Sequence, residues 1–240
     1  MLSAGHAASY TNMAISDAFV ATGPTGNLGD NNYGGGGALA VAATSLPNGE
    51  FQSLIRFDLS GERLALDAQY GVGQWSIQTV SLQLSSSPHS NAIYNDVAAG
   101  LFGVSWMAND SWLEGTGNAS NPAANGITYN TLQSTFINNN ADQALGTFSF
   151  DGGTTGANSY ALNLSPGLTA DILSGDDVSL RLFAADNSVS YLFSSRAATF
   201  PSQPELIITL AVPEPGGLAL FGLAVGLQWW RRIFRVVSLR

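Results

Sequence analysis

Apolar alternation with a period of two runs through most of this chain and commits it to sheets. Val80, Leu82 and Leu84 interleave with Ser81, Gln83 and Ser85, and Val178, Leu180 and Leu182 with Ser179, Arg181 and Phe183. Tyr160, Leu162 and Leu164 repeat the pattern, Leu54, Phe57 and Leu59 flank Arg56 and Asp58, and residues 206–210 read as a terminal strand. Successive strand side chains point to opposite faces, so this spacing buries one face and wets the other. Glycine-, asparagine- and serine-rich stretches at 34–37, 118–125, 138–140, 152–153 and 174–177 have the composition of loops and separate the runs. No sustained helical period is found before residue 216, and residues 130–136 form at most a short helical turn. The pattern predicts a single all-β domain over residues 10–211, an antiparallel β-sandwich of jelly-roll-like type.

Charge narrows the function classes. Residues 1–212 hold sixteen acids against four arginines (Arg56, Arg63, Arg181, Arg196) and no lysine, a net −12; four arginines against Glu214 give the remaining residues +3, and the whole chain −9. A lysine-free acidic body cannot neutralise phosphates, which argues against nucleic acid as a partner. It permits neutral polymers or divalent cations. No cysteine is present, so neither disulfides nor a thiolate site exist.

The final residues break the pattern. Val212-Pro213-Glu214-Pro215 is followed by an uncharged, largely apolar run, 216–230, then by Arg231 and Arg232. The two prolines forbid a regular helix or inner strand and make an extended spacer. Trp229 and Trp230 beside arginines have the composition of a membrane interface, with the arginines on the cytoplasmic side. Fifteen helical residues span about 22 Å against about 30 Å of hydrocarbon. The helix therefore reaches toward 237, with its arginines snorkelling. One short transmembrane helix within 216–237 is expected. At the other end, residues 1–9 carry small Ala7 and Ala8 like the end of a secretory signal peptide and are expected to be a remnant of one.

The order Pro213-Glu214-Pro215, apolar helix, Arg231-Arg232 resembles the PEP-CTERM sorting signal of Gram-negative bacteria. The resemblance implies an exported protein held transiently in the inner membrane. An exosortase would then cut at or near the Pro-Glu-Pro motif, and the body would pass to the cell surface or extracellular matrix, often with exopolysaccharide. The body in turn resembles the DNRLRE family of extracellular β-sandwich domains. Four ordered stretches carry this: 17–20 with the glycine-rich 27–37; 53–59 with Arg56; Trp112-Leu113-Glu114-Gly115 with 127–130; and 193–196 with Arg196, closed by 204–210. That family is non-catalytic, and some relatives bind polysaccharide.

Candidate sites are few. His6 and His89 are the only histidines, so a Ser-His-Asp triad would have to use His89, whose Ser-Pro-His-Ser setting reads as a solvated loop; transition-metal sites lack ligands. Asp176 and Asp177 read as a turn or as a calcium site. Asp110 and Glu114 flank Trp112 and are the acids a glycosidase would use. Arg56 and Arg196 are expected on strands, paired with acids such as Asp17 and Asp58 or lining a groove that grips an acidic sugar. Of the body's tryptophans, Trp106 reads as core and Trp112, in a polar loop, as the exposed ring on which a sugar would stack. Gly34–Gly37 lacks a following lysine and is not a phosphate loop. The expected function is that of a non-catalytic surface or matrix protein that binds or accompanies exopolysaccharide. The alternatives are a carbohydrate-active enzyme on uronic-acid polymers and a purely structural matrix or adhesion protein.

Overall fold

The computed structural model describes residues 6–88, 91–198 and 202–212. Eleven strands are found among them: β1 His6–Met13, β2 Ser16–Ala21, β3 Ala38–Ala42, β4 Phe51–Asp58, β5 Ser76–Ser85, β6 Gly100–Met107, β7 Gln143–Phe150, β8 Ala157–Leu162, β9 Asp177–Ala184, β10 Ser190–Ser194 and β11 Glu205–Val212. They form two sheets with antiparallel pairing throughout. One has the order β1-β11-β5-β8; the other runs β10-β3-β4-β9-β6-β7, with β2 also paired to β4. The expected alternation is realised: Val80, Leu82 and Leu84 of β5 and Val178, Leu180 and Leu182 of β9 point into one core that both sheets share. Phe102, Phe150, Tyr160, Tyr191 and Phe193 fill its centre in stacked and edge-on contacts. The molecule is therefore an antiparallel two-sheet sandwich, as the periodicity predicts.

Helices are the main correction to the sequence reading. α1 (Ser60–Tyr70) and α3 (Pro166–Ser174) are real helices, and between them α2 (Tyr129–Thr131) runs into a π-turn at Leu132–Phe136, where only a short helical turn is expected. α1 escapes pattern reading because it buries only Leu66 fully and leaves Leu64 71% exposed, so it has no apolar stripe. α3 carries legible end signals. Ser165 caps it by accepting the Leu168 N–H at 3.3 Å, Pro166 occupies the first turn, and Gly175 closes it at φ 74°.

A second apolar cluster lies on the outer face of the seven-stranded sheet. Ala18 and Val20 of β2, Leu54 of β4 and Met107 of β6 are covered there by Trp112, Ile127 and Leu132 from the long β6–β7 connection. Residues 108–142 thus fold back as a cover, and β4 is buried on both faces. Among the described residues no helix is long and apolar enough to cross a membrane. The expected transmembrane segment 216–237, the motif residues Pro213, Glu214, Pro215, Arg231 and Arg232, and His89 lie outside the described residues; Val212 is the last residue of β11.

Candidate functional site

The cover over the seven-stranded sheet brings the sequence-flagged residues together. β4 alternates Gln52, Leu54 and Arg56 outward, which places the Arg56 guanidinium under the 108–142 connection. Arg56 Nη1 donates to the carbonyls of Asp110 and of Trp112 (3.2 Å), and Nη2 to Ser16 Oγ (3.2 Å). Its Nε lies 3.5 Å from Asp177 Oδ2, and its guanidinium carbon sits 5.2 Å from the Trp112 ring centroid. Arg56 therefore holds main chain and an acid in place. Asp58, one expected partner, instead accepts the Ser60 N–H at 2.8 Å at the start of α1.

Trp112 requires a correction. Its ring is completely buried, and its indole N–H donates to Ser179 Oγ at 2.9 Å. The polar neighbours Asn109, Asp110 and Ser111 suggest a wet loop, but the apolar outer face of β2 and β4 needs a lid, and the indole supplies it. No sugar ring can stack there. Trp106 packs at the edge of the main core, and its N–H donates to Asp171 Oδ2.

Glu114 and Arg196 form a two-pronged ion pair. Arg196 Nε donates to Oε1 at 2.7 Å and Nη2 to Oε2 at 2.6 Å. Planar guanidinium–carboxylate pairing of this kind is strong and directional. Asp17 lies beneath it. Its own N–H donates to Glu114 Oε1 (3.3 Å), and its carboxylate accepts the Arg196 main-chain N–H at 2.5 Å. Burial pushes the Asp17 carboxyl up to about 7, against the opposing pull of that hydrogen bond. Asp17, Glu114 and Arg196 thus tie the start of β2, the cover and the segment after β10 into one knot.

A fully buried asparagine, missed in the sequence, organises the rest. Asn32 Nδ2 donates to the carbonyls of Glu114 (2.7 Å) and Ile127 (2.8 Å), and its Oδ1 accepts the N–H groups of Gly34 (3.1 Å) and Gly117 (3.0 Å). The glycine run beginning at Gly34 is there for close approach: a Cβ on Gly34 would lie 2.0 Å from the Glu114 carbonyl oxygen. Gly115 adopts φ 77°, and a Cβ there would meet Asn32 Oδ1 at 2.3 Å. The four stretches flagged in the sequence therefore converge on one face through Asp17, Asn32, Arg56, Trp112, Glu114 and Arg196.

Acids gather near Arg56. Burial raises the Asp110 carboxyl, whose Oδ1 has no hydrogen-bond partner, and the Asp177 charge adds to this. Burial also pushes Asp171 up to about 6, with Asp110 and Asp176 reinforcing it. Asp176 accepts the Ser174 hydroxyl, and Asp177 faces Arg56, so the two neighbours point to different partners. Among the described residues no group of three or more His, Asp or Glu is arranged to hold a metal ion.

The cover also carries an open cleft of about 380 Å³, lined by Ser111, Leu113, Asn125, Ile127, Thr131 and Phe136 among others. No charged side chain lines it. Leu113, beside buried Trp112, is 65% exposed at its rim. Apolar surface mixed with hydroxyl and amide groups suits an uncharged polyol better than a uronic acid. Comparison with family models and with curated proteins finds no match to this chain.

Proposed function

We propose that this protein is an exported, non-catalytic surface or matrix protein. Its jelly-roll-like sandwich is carried on one short membrane helix until an exosortase cuts near Pro213-Glu214-Pro215. The observation that carries the reading is the ordered tail, Pro-Glu-Pro, then apolar run, then Arg231-Arg232, starting directly after Val212, the last residue of β11. Two prolines in three residues cannot continue β11 as a regular inner strand, which favours a motif that a membrane enzyme can reach. The arginines orient the helix with its end in the cytoplasm. The chemistry of cleavage belongs to the exosortase, not to this chain.

Exopolysaccharide is the proposed associate, and the uncharged cleft between Leu113 and Phe136 replaces Trp112 as the proposed binding surface. Arg56, Arg196 and Glu114 serve it indirectly, by holding the cover in place. A second reading, an enzyme acting on uronic-acid polymers, is favoured by the raised carboxyls of Asp110 and Asp171, the charge of the first acting on the second. Glu114 does not serve it, since both its oxygens bind Arg196.

The test is expression of the full chain in Gram-negative cells with and without an exosortase, followed by fractionation. Release of the body only when the enzyme is present, and its loss in Glu214→Ala, supports sorting. Identical distribution in both strains would overturn it. A glycan array probed with and without calcium, with Leu113→Asp as the cleft variant, tests binding. Depolymerisation of a uronic-acid polymer that Asp110→Asn abolishes would instead establish the enzyme.

A further inference from the structure

The end of the sandwich at which the chain leaves the sheet has an unusual surface. Val212 pairs with His6 at the start of β1, and Ala211 pairs with Ser76 at the start of β5. The turn 71–75 that joins α1 to β5 therefore stands beside the exit of β11. Only Pro213, Glu214 and Pro215 separate Val212 from the apolar run, and three extended residues reach at most about 10 Å. On the proposed reading of the run after Pro215 as a membrane segment, this end of the body would lie at headgroup level.

Val72, at the tip of that turn, is 76% exposed, the most exposed of the large apolar side chains among the described residues. Gly71 (φ 94°) and Gly73 (φ 70°) flank it and let the turn project it outward. Residues 7–13, 71–87 and 206–212 contain no charged side chain, in a body of net −12. The acid nearest in sequence, Asp67, is occupied: it accepts the Trp75 indole N–H at 2.9 Å and lies 3.6 Å from the Arg63 guanidinium. A lone exposed valine is ordinary on a protein surface. What distinguishes this one is its place beside the exit of β11, on a turn and among strand segments that carry no charged side chain. Acidic surfaces are repelled by anionic headgroups over about a Debye length, and the turn and the strand segments beside it add no acid of their own to that repulsion.

We propose that the 71–75 turn is a membrane-contact surface: while the tail is embedded, Val72 sits among the lipid headgroups, and the contact sets the sandwich on the bilayer with the Pro-Glu-Pro motif at its surface. This rests on the reading of the tail as a membrane segment, and the occupant is the lipid surface itself. The chain has no cysteine, so single labels can be placed freely.

Full-length Val72→Cys and Thr25→Cys, the latter beyond the far end of β2, are each labelled with an environment-sensitive fluorophore. Each is reconstituted into vesicles of phosphatidylcholine and phosphatidylglycerol containing a headgroup nitroxide lipid. The expected result is co-flotation of both proteins, with blue-shifted and quenched emission at position 72 and solvent-like, unquenched emission at 25. Co-flotation with both labels unquenched, or both quenched alike, overturns the contact surface and leaves the anchor standing. Failure to float overturns the anchor, and the surface with it.

Discussion

Replacing Trp112 by alanine should unfold the protein far more readily than replacing its neighbour Leu113. Trp112 is completely buried between the cover and the sheet, whereas Leu113 is 65% exposed. A buried tryptophan withdraws roughly 200 Å² from water, worth about 5 kcal/mol at about 25 cal/mol per Å². The bond to Ser179 Oγ adds about 1 kcal/mol, and the Arg56 guanidinium against the ring about 1 kcal/mol more. Alanine keeps part of the apolar surface and the cover relaxes partly, so the expected loss is about 3–5 kcal/mol. For a body of this size that lowers the Tm by roughly 6–20 °C. Leu113→Ala should change stability by less than about 0.5 kcal/mol. Urea and thermal unfolding followed by far-UV circular dichroism measure both. Equal small losses in the two variants would refute the placement of Trp112 as the lid of the second core.

Three further outcomes follow from the same face. Asn32→Ala should cost about 2–4 kcal/mol, because it strips partners from the carbonyls of Glu114 and Ile127 and from two glycine N–H groups; a urea midpoint within error of wild type would contradict this. Gly115→Ala should cost at least about 2 kcal/mol, since it combines positive φ with a clash at Asn32, and Asn32→Ala in the same chain should relieve part of that cost in a double-mutant cycle. Asp17, pushed up to about 7 from 3.8, keeps its proton longer folded than unfolded. Its contribution is therefore full below about pH 4 and is lost as pH rises through about 7, a gap worth roughly 4 kcal/mol. Stability measured by urea midpoint should fall over that range and flatten in Asp17→Asn; parallel profiles for the two proteins would refute the assignment.

The strands were legible because alternation is local: β5, β9 and β11 announce themselves in a few residues. The cover was legible only in a form easily overlooked. Leu54 and Ile55 are consecutive apolar residues on one strand, and a strand with one wet face has no use for both; the extra one calls for a lid. Which segment supplies the lid is a long-range fact, and the polar run before Trp112 disguises it. Arg196 and Glu114 stand 82 residues apart, and Arg56 and Asp177 more than a hundred, so side-chain type marked them as paired while topology chose the partners. Asp58 was the tempting local partner for Arg56, but its geometry at the end of β4 suits the first turn of α1. Asn32 gave no signal beyond its glycine neighbours, because a buried asparagine is defined by the backbone groups around it.

The central claim is that the tail is cut by an exosortase, and the most direct measurement is the intact mass of the protein recovered from cells that carry the enzyme. The account predicts a body whose C-terminus lies at or near residues 213–215, seen only when the exosortase is present and absent in Pro213→Ala and Glu214→Ala. A protein that still carries Arg231 and Arg232 in cells with and without the enzyme would contradict it.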